Sequence, residues 1–100
     1  MKKTKFFIAV RDNGIECAKQ VDGYFDYIDR LPVGIHKRGQ SWIVTELSTG
    51  FAITAGPTRK AAAEKAAEIV NKVNGKFFEK LDEKILEKYR DMIKRAYAAM

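Results

Sequence analysis

The chain has 100 residues, of which 46% are hydrophobic and 32% are charged, so it has room for one small hydrophobic core and not for two. A single cysteine and a single histidine exclude an internal disulfide, a cysteine-based zinc cluster and a multi-histidine metal site. The formal net charge of +6 favours anionic partners without identifying one. The apolar run at 6–10 is too short for a secretory signal or a membrane span, so we expect a cytoplasmic protein without a membrane partner.

The first predicted element is a β-hairpin. Residues 5–11 are rich in strand-forming side chains and end at Asp12-Asn13-Gly14. Asn-Gly readily adopts the positive backbone angles of a type I′ turn, and residues 15–21 then alternate as a returning strand. Cys17 is interpreted as a small core residue rather than a redox group.

The next stretch carries two weaker signals. Residues 24–31 place aromatic and aliphatic side chains at helical spacing, which predicts a short helix or turn, with a strand as the alternative. Pro32 ends that element. Residues 33–40 predict a loop that carries the basic cluster at 36–38.

A second hairpin is predicted from residues 41–47 and 51–55. They flank Ser48-Thr49-Gly50, where glycine is suited to the left-handed turn position. Trp42 and Val44 share one face, and both faces of the hairpin carry apolar residues. We therefore expect this hairpin to be central in the sheet.

Two helices are predicted after the strands. Thr58 is a good N-cap for an alanine-rich helix over 58–74, and a second helix over 76–98 has apolar residues every three or four positions. Because strands precede helices, the predicted fold is one α+β domain over 1–100, with an antiparallel sheet of about four strands (about 5–55) followed by two C-terminal helices.

No catalytic constellation is evident in the sequence. His36 is the one histidine available to a nucleophilic triad, and nothing around it, Ser41 or Cys17 resembles a nucleophile motif. Glycine-rich phosphate loops and dinucleotide fingerprints are also missing. We therefore expect a protein that is not an enzyme, with no catalytic residues, no metal site and no cofactor.

Basic residues are the candidate binding groups. Arg59 and Lys60 follow Thr58 in the first turn of the predicted helix, where free amides and the helix dipole favour anions. Lys37 and Arg38 form a second cluster in the predicted loop. These five residues are the predicted nucleic-acid-binding set, and the alternative is a solvated helix start. Aromatic residues such as Trp42 offer stacking surfaces if exposed, although most aromatics are expected in the core.

The start of the first helix resembles the last helix of double-stranded-RNA-binding domains, where a Ser or Thr, two basic residues and several alanines open the helix. The residues that match this pattern are Thr58, Arg59, Lys60, Ala62, Ala66 and Ala67. The resemblance implies that Arg59 and Lys60 contact phosphates across the groove. The chain departs from that family in having a hairpin before the sheet and Ala63 at the third basic position.

The longer run 42–67 is similar to small phage and mobile-element proteins that have a Trp-initiated strand, a Thr-Gly turn, a second strand and a helix opening with Thr and a basic residue. The matching residues are Trp42, Val44, Thr45, Thr49, Gly50, Thr58, Arg59 and Ala62. The DNA-binding arms of phage-type integrases share this order of sheet and helix, and they read DNA with the sheet.

We therefore expect a small basic nucleic-acid-binding module, for DNA or RNA, that works through phosphate contacts. The alternative is a phage or mobile-element accessory protein that binds another protein, with a nucleic-acid enzyme as one candidate partner. A homodimer through the C-terminal helix is a further possibility.

Overall fold

The computed structural model of the chain describes residues 1–73 and 82–100. Its elements are β1 (Lys2–Asp12), β2 (Ile15–Ile28), β3 (Leu31–Arg38), β4 (Ser41–Glu46), β5 (Ala52–Gly56), α1 (Arg59–Lys72) and α2 (Glu83–Ala98). The predicted α+β class is confirmed, with five strands where about four were expected. The predicted stop at 74–75 and the first part of the predicted second helix lie outside the described residues. No helix in the described ranges is long and apolar enough to cross a membrane.

The five strands form an antiparallel meander in the order β1-β2-β3-β4-β5. The first turn confirms the Asn-Gly prediction. Asp12 pairs with Ile15, and the two residues between them have φ angles of 51° at Asn13 and 78° at Gly14. Both central residues therefore have the positive φ that a type I′ turn requires.

In the middle of the chain, the predicted helix or turn and the predicted loop are both wrong, and the strand alternative for the first of them is correct. Residues 24–28 are not helical but continue β2, and the predicted loop at 33–40 is largely β3. The aromatic and β-branched side chains of 24–28 fit a pleated surface, and pairing with 31–35 satisfies their backbone groups, which a helix of a few residues cannot match. Pro32 lies inside β3, where it pairs with Tyr27 and its carbonyl accepts a hydrogen bond from the Leu47 N–H at 3.1 Å.

The β4–β5 hairpin forms around the predicted turn, and Gly50 has the expected positive φ of 76°. Its predicted central position is wrong, because β5 is an edge strand. The apolar residues on both of its faces have a different cause. One face of the hairpin packs under α1. The other face is covered because β1 curls over towards the β4–β5 loop.

The sheet curls back on itself. β2 pairs with β1 over residues 15–25 but with β3 only over 24–28, so the tip of the β1–β2 hairpin extends past β3. The Ala9 N–H then donates to the Gly50 carbonyl at 3.0 Å, which brings β1 against the β4–β5 loop. We call the enclosed side the inner face. Phe6, only 1% exposed, lies there against Gly34, whose missing Cβ leaves room for the ring.

Both helices pack on the opposite, outer face. The main core joins α1 to the sheet through small and branched side chains: Ala62, Ala66 and Val70 against Ile28, Val33, Ile35 and Val44. The small alanines allow the helix to lie close to the strands. α2 packs on β1 and β2 through its buried Leu86 and Ile93, and the Tyr97 ring meets the Phe7 ring edge to face at 4.9 Å.

Candidate nucleic-acid interface

The start of α1 is built as the sequence predicts. Thr58 has extended backbone angles, and its hydroxyl oxygen accepts a hydrogen bond from the Ala61 N–H at 3.0 Å. The prediction of Thr58 as the N-cap is therefore confirmed. No acidic residue lies in the first turn, so Arg59 and Lys60 add positive charge where the helix dipole is already positive.

Arg59 packs on two aromatic rings of the outer face. Its guanidinium carbon lies 4.0 Å from the centroid of the Tyr24 ring and 5.5 Å from that of Trp42. The Lys37 ammonium lies 6.0 Å from the same Trp42 ring, since Lys37 and Trp42 are cross-strand partners on β3 and β4. Cations over aromatic faces are attracted by the ring quadrupole. Two of the predicted cations therefore share one tryptophan.

Lys60 extends the same region towards the chain's first residue. It is exposed and lines a shallow cavity of about 490 Å³ together with Met1, Thr58 and Arg59. One carboxylate, that of Glu64, also lines this cavity. The outer-face cations Arg59, Lys60 and Lys37, with the rings of Tyr24 and Trp42, are called the cationic aromatic cluster below.

Arg38 does not join the cationic aromatic cluster. Neighbouring residues on a strand point to opposite faces, so Arg38 is directed away from Lys37 and towards the inner face, with His36. It lines a cleft there, between β3 and the β1–β2 hairpin. Of the five predicted site residues, the fold thus brings Thr58, Arg59, Lys60 and Lys37 to one end of the outer face and separates Arg38.

The positive charges of the cluster are not neutralised by nearby acids. The ion pairs between described residues lie elsewhere, such as Lys5 with Asp22 at 3.9 Å and Arg95 with Asp91 at 3.0 Å. Within residues 1–73 and 82–100, neither Arg59, Lys60 nor Lys37 forms a salt bridge. The cluster therefore holds positive charge that is available to an external anion.

Sequence reasoning missed part of the surroundings. Lys3 is the β1 neighbour of Tyr24 in the strand ladder, which places the lysine-rich start of the chain beside the cluster. On the inner face, Lys19 lines the same cleft as His36 and Arg38. The Asn-Gly turn fixes the pairing of Lys19 with Ile8, but its proximity to His36 depends on the curl, which no local pattern in the sequence encodes.

Comparisons with protein families, curated proteins and solved structures gave no match to this chain.

Proposed function

We propose that the chain is a nucleic-acid-binding module whose contact surface is the cationic aromatic cluster. The observation that carries the proposal is the stack of Arg59 on Tyr24 and Trp42, with Lys37 over the same indole ring. Cations interleaved with aromatic rings combine phosphate attraction with stacking for bases, which is the usual chemistry of single-strand and loop recognition.

The N-terminus of α1 adds a second favourable element. Its dipole and free backbone amides favour a phosphate, and Lys60 lies beside it. Tyr24 and Trp42 are each half-buried, so bases would reach the exposed part of their rings from solvent. Thr58 has a positioning role in this scheme, because its hydroxyl caps the helix that presents Arg59 and Lys60.

The alternative of an accessory protein that acts through α2 has less support from the packing. Leu86 and Ile93 of α2 are buried against the chain's own sheet, and the Tyr97 hydroxyl oxygen accepts a hydrogen bond from the Phe7 N–H at 3.2 Å. Ile85 is the large aliphatic side chain that α2 still exposes. A homodimer or partner interface through α2 stays a prediction, without a specific contact surface to favour it.

The test uses Trp42, the chain's single tryptophan, as a reporter inside the proposed surface. Fluorescently labelled single- and double-stranded DNA and RNA oligonucleotides are titrated at about 50 mM salt, with anisotropy and tryptophan quenching both recorded. We expect binding, quenching of Trp42, and affinity at least about tenfold lower for the double variant Lys37→Ala/Lys60→Ala, because each lost phosphate contact removes counterion release.

A matched control separates the surface from the net charge. Lys65→Ala/Lys94→Ala removes the same two charges from exposed lysines on α1 and α2, outside the cluster. This control should bind as the unaltered chain does. Failure to bind any of the four nucleic acids, or equal loss in both double variants, contradicts the proposed surface.

A further inference from the structure

A second basic region lies on the inner face, where the β1–β2 hairpin curls over β3. It is a cleft of about 740 Å³ with an apolar floor that includes Ile8 and Val21. Arg11, Asp12, Lys19, Lys37 and Arg38 line it, but by strand alternation the side chains of Arg11 and Lys37 point to the outer face, where Lys37 lies over Trp42. The charged side chains on the cleft's own face are therefore those of Lys19, Arg38 and Asp12. A concave surface with a net positive charge attracts anions more strongly than a flat surface does.

His36 is the polar group buried in this cleft. The residue is 5% exposed, and its Nδ1 atom has no hydrogen-bond partner among the described residues. The Phe6 ring meets the imidazole edge to face at 5.9 Å and offers it no hydrogen bond. A buried polar atom without a partner is costly, and the residue that carries it lines a basic cleft, which points to a ligand that hydrogen-bonds the imidazole.

The cations that line the cleft differ in whether a carboxylate already pairs with them. Arg11 lies 3.1 Å from a carboxylate oxygen of Glu16, whereas Lys19 and Arg38 form no salt bridge with any described residue. Burial, followed by the charges of Arg38 and Lys19, lowers the pKa of His36. Both cations therefore act on the imidazole, and an anion among the three groups would relieve that repulsion.

We propose that this cleft binds a phosphate group, with Lys19 and Arg38 balancing its charge and the His36 imidazole hydrogen-bonded to one of its oxygens. A tetrahedral oxyanion offers several acceptors, so it satisfies the two cations and an imidazole N–H together. The phosphate is either free or carried on the end of an organic molecule such as a nucleic acid. This site is on the opposite face of β3 from the cationic aromatic cluster, and it does not depend on the proposed function.

The experiment follows His36, the chain's single histidine, by two-dimensional proton–carbon NMR of its imidazole. The protein is titrated with pH in about 20 mM inorganic phosphate and in sodium chloride of matched ionic strength. We expect phosphate to raise the pKa of His36 by about one unit relative to chloride, since a nearby opposite charge favours the protonated ring. Identical titrations in the two salts overturn the proposal.

Variants show whether the phosphate-induced change in the pKa of His36 arises in the cleft. Oligonucleotides then distinguish the two sources of the phosphate. Lys19→Ala and Arg38→Ala should each reduce the phosphate-induced shift at least about twofold, while the exposed-lysine control Lys65→Ala should retain it. A shift that survives both cleft variants contradicts the site. If a 5′-phosphorylated oligonucleotide shifts His36 and its unphosphorylated twin does not, the ligand is a terminal phosphate. If neither oligonucleotide shifts His36 while inorganic phosphate does, the ligand is the free anion. Equal shifts with both oligonucleotides contradict a site for a terminal or free phosphate. Oligonucleotide binding at Trp42 without any phosphate response at His36 leaves the proposed function standing and removes this one.

Discussion

Glu46 is a fully buried carboxylate whose hydrogen-bond partners come from the loop that follows it. Its Oε1 accepts from the Ser48 hydroxyl, the Thr49 N–H and the Thr49 hydroxyl at 2.6–3.1 Å, and its Oε2 accepts from the Ser48 N–H at 2.6 Å. No salt bridge joins it to any described cation. Hydrogen bonds to a charged group are stronger than neutral ones, so this single side chain fixes the turn between β4 and β5.

We therefore expect Glu46→Ala to lower the free energy of unfolding by about 3 kcal/mol, because the buried donors of Thr49 and the part-buried donors of Ser48 lose their acceptor. Glu46→Gln should also destabilise, since an amide NH₂ replaces one of the two accepting oxygens. Urea unfolding followed by Trp42 fluorescence measures both. Glu64→Ala, at an exposed position of α1, serves as the control and should change stability by no more than about 0.5 kcal/mol. Equal stabilities of the Glu46 and Glu64 variants contradict this role.

At the scale of the elements, Glu16 connects the β1–β2 hairpin to α2. One oxygen lies 3.1 Å from the Arg11 guanidinium and the other 2.9 Å from the Lys88 ammonium. A hydrogen bond from Tyr89, followed by those from Lys88 and Arg11, lowers the pKa of Glu16 to about 2. The Tyr89 ring also meets the Phe51 ring edge to face, with 4.4 Å between the centroids. Polar and aromatic contacts therefore hold α2 at the same place.

This connection predicts an acid-sensitive contribution to stability. The folded-state pKa of Glu16 lies below its ordinary value of 4.5, so the contribution is fully present above about pH 4.5 and is lost as the pH falls towards 2. Glu16→Gln should therefore be less stable than the unaltered chain at pH 7, and the difference should shrink between pH 4.5 and 2. Denaturant unfolding at several pH values measures it. Glu87→Gln, an exposed carboxylate of the same helix, should show no such convergence; a difference for Glu16→Gln that is constant with pH contradicts the assignment.

The elements that the sequence predicted correctly are those with a strong local signal. Asn13-Gly14 has the backbone freedom of one particular turn, and Thr58 has the hydroxyl that an N-cap needs. The error at 24–31 arose because its turn, at Asp29 and Arg30, lacks the Asn-Gly signature, although Asp29 adopts a φ of 56°. With no recognised turn, the aromatic spacing resembled a helix, and pairing with β3 decided the outcome.

At the scale of the whole molecule, the sequence identified the cations but not how the fold groups them. A net charge of +6 spread along the chain says little about a binding surface. The structure neutralises some basic residues in ion pairs, directs Lys37 and Arg38 to opposite faces, and sets Arg59 on Trp42. The alternation along β3 separates the two neighbours, and it could be predicted only once residues 31–38 were known to be a strand.

The division of charge between two faces gives a quantitative expectation for salt dependence. If a nucleic acid contacts the cationic aromatic cluster through Arg59, Lys60 and Lys37, about three phosphates are neutralised. The logarithm of the association constant should then fall with the logarithm of salt concentration with a slope of about −3 for duplex and about −2 for single strands. If the whole excess charge acted without a defined surface, the slope would be steeper, about −5 for duplex.

The variants separate these two cases. Lys37→Ala/Lys60→Ala should make the duplex slope less steep by about 2, whereas Lys65→Ala/Lys94→Ala should leave it unchanged. Anisotropy titrations between about 50 and 200 mM salt measure the slopes. Over this range, added salt should weaken binding through three phosphate contacts roughly 40-fold. Arg38→Ala is a further comparison from the same strand. Because Arg38 lies on the inner face, its loss should leave the slope unchanged, and a slope reduced as much by Arg38→Ala as by Lys37→Ala would mean that nucleic acid contacts both faces of β3.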